Sequence, residues 1–126
     1  LPFGYGLSYT TFEYSNLSLS KKKINRGESI TVTVTVSNTG DYDGEEVVQL
    51  YVRDVVRSIT PPKRELKGFQ KVMLKKGERK EVSITLSPND LKFYNSRLEF
   101  VTEPGDFEVF VGSDSDTQLS ETFTLQ

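Results

Sequence analysis

Ile30-Thr31-Val32-Thr33-Val34-Thr35-Val36-Ser37 alternates apolar and hydroxyl side chains without a break. Successive side chains of an extended chain point to opposite faces, so this spacing predicts a strand with one buried face and one wet face. Antiparallel sheets packed on one side are built from such strands. Outward from it, Asn38 to Gly44 supplies turn residues, and Val48, Leu50 and Val52 give the buried stripe of a second strand. Val82, Ile84 and Leu86 make a third stripe, and Phe107, Val109 and Val111 a fourth. Weaker strand patterns cover 12–19, 66–74, 98–102 and 119–125. No window sustains helical periodicity, and Pro88-Asn89-Asp90-Leu91 allows one short turn. Short strands separated by turn signals predict an all-β chain folded as a β-sandwich.

Two stretches interrupt the alternation. Residues 54–63 include Ser58, Thr60, Pro61 and Pro62 and read as a long extended connection. Paired prolines remove two donors, which disfavours ladder pairing there. Such a loop either serves a function, including contact with a neighbouring domain, or simply crosses between sheets. Gly68 lies where the inward pattern of 66–74 shifts phase, and a β-bulge explains both the glycine and the shift.

The chain's 126 residues suit one domain with a workable core. A net charge of −2 argues against general nucleic-acid binding, and no apolar run is long enough to cross a membrane as a helix. Without cysteine there are no disulfides or thiolate metal sites. The absence of histidine matters more for chemistry, because it removes the commonest general base and metal ligand.

The opening, Leu1-Pro2-Phe3-Gly4-Tyr5-Gly6-Leu7-Ser8-Tyr9-Thr10-Thr11-Phe12, is too aromatic for a solvated linker. Phe3, Tyr5, Leu7, Tyr9 and Phe12 ask for burial, while Gly4 and Gly6 let the backbone bend or approach another surface closely. The segment is expected to lie against a partner domain, within a longer protein.

This opening resembles the motif that closes the second catalytic domain of family 3 glycoside hydrolases, the β-glucosidase and β-xylosidase family. The resemblance continues through Arg64-Glu65-Leu66-Lys67-Gly68-Phe69-Gln70-Lys71, then Leu74 and Gly77-Glu78. Asp90-Leu91, Phe93-Tyr94, Glu103-Pro104-Gly105-Asp106-Phe107 and Val111-Gly112-Ser113 follow in the family's order. The family often has a tryptophan before the final Gly-aromatic turn; this chain has none, and Leu98 and Phe100 are expected in its space.

The resemblance implies an immunoglobulin-like, fibronectin type III-like antiparallel β-sandwich over 13–126, with 1–12 as an interdomain segment. It implies a non-catalytic accessory domain whose parent releases terminal β-D-glucose or a related sugar with retention, in a periplasmic or secreted setting. The implied partners are the parent's own catalytic domains, contacted through Phe3, Tyr5, Leu7, Tyr9 and Phe12. The family's nucleophilic Asp and acid/base Glu belong to the preceding domains, and nothing here matches either motif, so no catalytic residue is assigned.

The residues themselves agree. Glycoside hydrolysis needs two carboxyl groups about 5–5.5 Å apart for retention or about 6.5–9.5 Å apart for inversion. Asp41, Asp43, Glu45 and Glu46 are the densest acidic group, but they sit in turn composition where side chains diverge. Asp114 and Asp116 have the same character. Thr39, Asp41, Asp43 and Gly44 partly imitate an EF-hand loop, yet Thr39 stands at its first position and Leu50 at its twelfth, so no metal or other cofactor is expected. Gly4 and Gly6 lack the third glycine and the strand–helix context of a phosphate loop.

The alternative is a carbohydrate-binding module using a sandwich face or the 54–63 loop, with oligosaccharide as partner and Tyr42 and Tyr51 as candidate sugar contacts. Tyr51 is out of phase with Leu50 and Val52, which puts its ring on the outer face, where aromatics also serve cross-strand packing. A free-standing adhesion domain would leave the aromatic opening unexplained. The basic cluster of Lys63, Arg64, Lys67, Lys71, Lys75, Lys76, Arg79 and Lys80, interrupted by Glu65, Glu78 and Glu81, reads as a solvated face that protects strand edges, with a polyanion stripe as the other reading. Asn16-Leu17-Ser18 fits the N-glycosylation pattern, relevant only in a eukaryotic secretory host.

Overall fold

The computed structural model describes residues 10–55, 63–95 and 97–126. The alternating stripes become strands: β1 (Phe12–Leu19), β2 (Lys23–Ile24), β3 (Ile30–Asn38), β4 (Gly44–Asp54), β5 (Glu65–Leu74) and β6 (Arg79–Leu86). After a 3₁₀ turn at Pro88–Leu91 come β7 (Phe93–Tyr94), β8 (Phe100–Val101), β9 (Gly105–Gly112) and β10 (Ser120–Leu125). A three-stranded sheet ordered β1-β3-β6 faces a five-stranded sheet ordered β2-β10-β9-β4-β5, and β7-β8 form a small hairpin. Among the described residues every pairing is antiparallel except that of β2 with β10, where Thr124 lies beside Lys23 and Leu125 beside Ile24. The two-residue β2 has no pattern to read; burial of Ile24 holds it at the sheet edge.

The core sits between the sheets. Val32, Val34 and Val36 meet the inward residues of the opposite sheet, Val48, Leu50 and Val52 on β4 and Phe107, Val109 and Val111 on β9. Phe107 stacks on Phe123 at 5.3 Å between ring centroids. Leu50 pairs with Gly68 and Tyr51 with Leu66, leaving Lys67 as the extra residue of the expected bulge. A Cβ at Gly68 would come within 2.9 Å of the Ile84 methyl, so glycine also lets β5 lie close over β6.

Candidate interdomain interface

The end of the sandwich where residues 10 and 11 lead into β1 is organised by one amide. Asn38 closes β3 at the head of a run, Thr39-Gly40-Asp41-Tyr42-Asp43, whose composition dictates a turn. It is only 2% exposed. Its Oδ1 accepts from the Thr10 hydroxyl at 2.6 Å and from the Gly40 N–H at 3.0 Å. Its Nδ2 donates to the Tyr42 carbonyl at 2.8 Å and to the Leu74 carbonyl at 3.0 Å. Both lone pairs and both amide protons are therefore used, as a buried amide requires. The four bonds tie the entering chain, the β3–β4 turn and the end of β5 to one point.

Gly40 makes the close crossing feasible. A Cβ there would fall 2.1 Å from Thr10 Oγ1 and 2.6 Å from the Thr11 amide nitrogen. Thr39 donates its N–H to the Thr11 carbonyl at 2.9 Å, and the Thr11 and Thr39 hydroxyls meet at 3.0 Å. On the neighbouring turn, Asp43 accepts the Lys76 N–H at 2.8 Å. Just inside the sandwich, the Tyr14 hydroxyl donates to Glu46 Oε2 at 2.7 Å, linking β1 of one sheet to β4 of the other. Burial raises both the Tyr14 and the Glu46 pKa. Tyr14 is pushed further up by Glu46, whereas its hydrogen bond and the Val47 N–H partly offset the rise at Glu46.

The structure separates the residues singled out from the sequence. Phe3, Tyr5, Leu7 and Tyr9 lie outside the described residues, as do positions 56–62 of the 54–63 connection. Phe12 opens β1 and packs half-buried against the core. Tyr42 lies at the entry end, 62% exposed. Tyr51 lies along β4, roughly 23 Å of extended strand beyond Gly44. It is half-buried between its register partners Leu66 and Phe110, with its hydroxyl donating to Gln49 Oε1. The two tyrosines form no common platform. The acidic group disperses, with Glu46 bound to Tyr14, Asp43 to the Lys76 amide and Asp41 exposed. Among the described residues no three acidic side chains gather as metal ligands would. Leu98 does not fill a tryptophan's space; it is 81% exposed with φ of 64°, while Phe100 packs on Tyr94 at 4.9 Å between centroids.

Three roles had no sequence signal. Asn38 reads as an ordinary turn residue, because its burial comes from Thr10 and Leu74, distant in sequence. Arg64, read as part of a solvated face, lays its guanidinium 3.6 Å over the Phe110 ring and donates Nη1–H to the Thr117 carbonyl at 2.6 Å. The bulge turns Lys67 out of that face, placing Nζ 4.5 Å from the Phe93 ring centroid and 3.2 Å from the Lys92 carbonyl. The edge-protecting role does fit the topology, since β5 and β6 each end a sheet.

Residues 46–115 match the family model described as Fibronectin type III-like domain. The chain is 46% identical over 124 residues to the periplasmic beta-glucosidase of Salmonella typhimurium, covering 98% of this chain and 16% of that protein. It is 45% identical to beta-glucosidase BoGH3A of Bacteroides ovatus, covering 97% of this chain and 17% of the relative. Among solved structures, the beta-glucosidase from Listeria innocua in complex with isofagomine superposes with a TM-score of 0.81 at 46% identity, over 99% of this chain and 17% of that one. The chain thus spans about one sixth of the length of the proteins it matches. It belongs to the fibronectin type III-like domains found in the C-terminal region of family 3 β-glucosidases and β-xylosidases.

Proposed function

We propose that this chain is the accessory domain of a β-glucosidase-type hydrolase and that it braces the parent's catalytic domains. In this reading the residues before Thr10 lie between the two bodies, with Phe3, Tyr5, Leu7 and Tyr9 packed on the catalytic side. The observation that carries it is the saturated Asn38 amide, which fixes where the chain enters the sandwich. Fixing the direction of the entering chain limits swivelling once the residues before Thr10 pack on a second body. The carboxylates favour a non-catalytic role, because Glu46 is bound to Tyr14 between the sheets and Asp43 to the Lys76 amide on an exposed turn, instead of facing one another across a pocket. The parent would hydrolyse terminal β-D-glucosides with retention, in a periplasmic or secreted setting like that named for the Salmonella relative.

The test is Phe3→Ser with Tyr5→Ser in the parent. The brace requires a lower unfolding temperature, with kcat/KM at moderate temperature little changed. Unchanged unfolding together with a lost rate would overturn it. Retention is read from the anomer released first, which must be β. The exposed Tyr42 ring supports the alternative reading as a sugar-binding module. Localised, saturable chemical-shift changes around Tyr42 on titration with short β-linked gluco-oligosaccharides would establish that reading, and none at millimolar sugar would dismiss it.

A further inference from the structure

The outer face of the five-stranded sheet is covered at its centre and bare at one edge. Phe110, outward on β9, is buried beneath the Arg64 guanidinium. On β5 the register places Leu66 opposite Tyr51, Phe69 opposite Gln49, Lys71 opposite Val47 and Met73 opposite Glu45. All four therefore project from the side away from the core. Leu66 is 51%, Phe69 61% and Met73 55% exposed, so one edge strand carries three large apolar side chains in a row. Together they expose on the order of 300 Å² of apolar surface, the size of the largest patch on an ordinary monomer, which is often a functional one.

We propose that Leu66, Phe69 and Met73 form a second contact face, onto which the remaining part of the parent chain packs through an apolar surface rimmed by carboxylates. The proposal rests on the accessory-domain reading above and specifies the face used. Three observations choose this occupant. Proteins matching this chain are about six times its length, so a large covalently attached body is available. The row ends at Met73, next to Leu74, whose carbonyl is held by the Asn38 amide that also holds Thr10. A body attached through the entering chain is thus tethered beside the row, at an effective concentration that a separate molecule reaches only near millimolar. Lys71 interrupts the row, with Arg64 near one end and Lys75 and Lys76 at the other; these four cations outnumber Glu45 opposite Met73, which suits an acidic rim on the occupant.

Met73 is the only methionine among the 126 residues, so oxidation on the peptide that carries it reports this face and no other part of the domain. The experiment is peroxide oxidation of the full-length parent followed by mass spectrometry, since sulfoxide formation follows access to the sulfur. The proposal requires Met73 to oxidise at least about 10-fold more slowly in the folded parent than in the unfolded one. It also requires Phe69→Ser or Lys71→Glu to lower the parent's unfolding temperature with kcat/KM unchanged. A folded rate within about 2-fold of the unfolded rate overturns it, and so does protection that disappears on dilution to monomer, which would make a second copy the occupant. If Met73 oxidises freely while the Phe3/Tyr5 variant is still destabilised, this face falls and the brace stands. If both are silent, both fall.

Discussion

Replacing Asn38 with alanine tests the entry lock most directly. Four hydrogen bonds are lost, to Thr10, Gly40, Tyr42 and Leu74, at 2.6–3.0 Å. A typical bond contributes about 0.5–1.5 kcal/mol net, and a buried group left unpaired costs about 1–3 kcal/mol. The Thr10 hydroxyl can turn to solvent, and the part-buried Gly40 amide and Tyr42 carbonyl recover some hydration. The bond to the Leu74 carbonyl is the buried one. The sum is a loss of about 3 kcal/mol. At a urea m-value of about 1.5–2 kcal/mol/M the midpoint falls by about 1.5–2 M. The chain has no tryptophan, so the transition is followed by tyrosine emission or circular dichroism. Asn38→Asp sharpens the test. It keeps the acceptor for Thr10 and Gly40 but turns a carboxylate toward two carbonyl oxygens. At neutral pH it should destabilise at least as much as alanine, and it should recover in acid, where a protonated carboxyl donates to one of them. If both variants unfold within about 0.5 kcal/mol of the native chain, the amide is no anchor and the entering chain is held by something else.

Gly40→Ala, whose new methyl would overlap Thr10 and the Thr11 amide, should cost about 1–3 kcal/mol and loosen amide exchange protection at Thr39, whose N–H bonds to Thr11. For Glu46 the folded pKa lies above its unfolded value, so the folded state binds the proton more tightly and stability falls as pH rises through the range above 4.5. Glu46→Gln keeps an acceptor for Tyr14 and should flatten that slope, with a higher unfolding temperature at pH 7; an unchanged pH profile would contradict the assignment. Glu28 behaves oppositely. The Asn25 N–H and then Lys21 lower its pKa, so its contribution is present above pH 4.5 and is lost as pH falls through the folded value, and Glu28→Gln should remove that acid-side loss. Arg64→Leu removes the guanidinium over Phe110 and the bond to Thr117, and is expected to cost about 1–2 kcal/mol in chemical denaturation.

The strands were legible because a period of two survives in any sheet buried on one face. Ile30–Ser37, the stripe at Val48, Leu50 and Val52, and the stripe at Phe107, Val109 and Val111 all became strands whose apolar residues face the core. Even the bulge at Gly68 showed as a break in that period. The two-residue β2 and β7 were too short to carry a period. Side chains acting at a distance were not legible. Arg64 and Lys67 stand three apart in one basic cluster, yet one caps a ring on the outer face and the other reaches the Phe93–Phe100 aromatics. The same bulge decides which residues of β5 face outward, so the exposure of Phe69 and Met73 follows from register and not from composition. Asn38 is the extreme case, since every partner that distinguishes it from a common turn residue comes from outside β3.

The entry lock and the bare row on β5 would do different physical work in a parent. A saturated amide network contributes little net free energy per bond, but each bond has a narrow geometry, so it fixes direction better than it supplies affinity. Apolar contact has the opposite character, since burial is favourable per unit area and tolerant of angle. A domain held only by Leu66, Phe69 and Met73 would be bound but could rock; one with only the Asn38 lock, whose four bonds are all within the domain, would have its entering chain aimed but no contact to hold it in place. With both, the two defects should separate in the full-length enzyme. Phe69→Ser should act mainly on the unfolding temperature. Gly40→Ala, which misdirects the entering chain, should shift the oxidation rate of Met73 even at temperatures where the parent remains folded. Equal effects of the two variants on both readouts would mean that the lock and the row form one undivided contact.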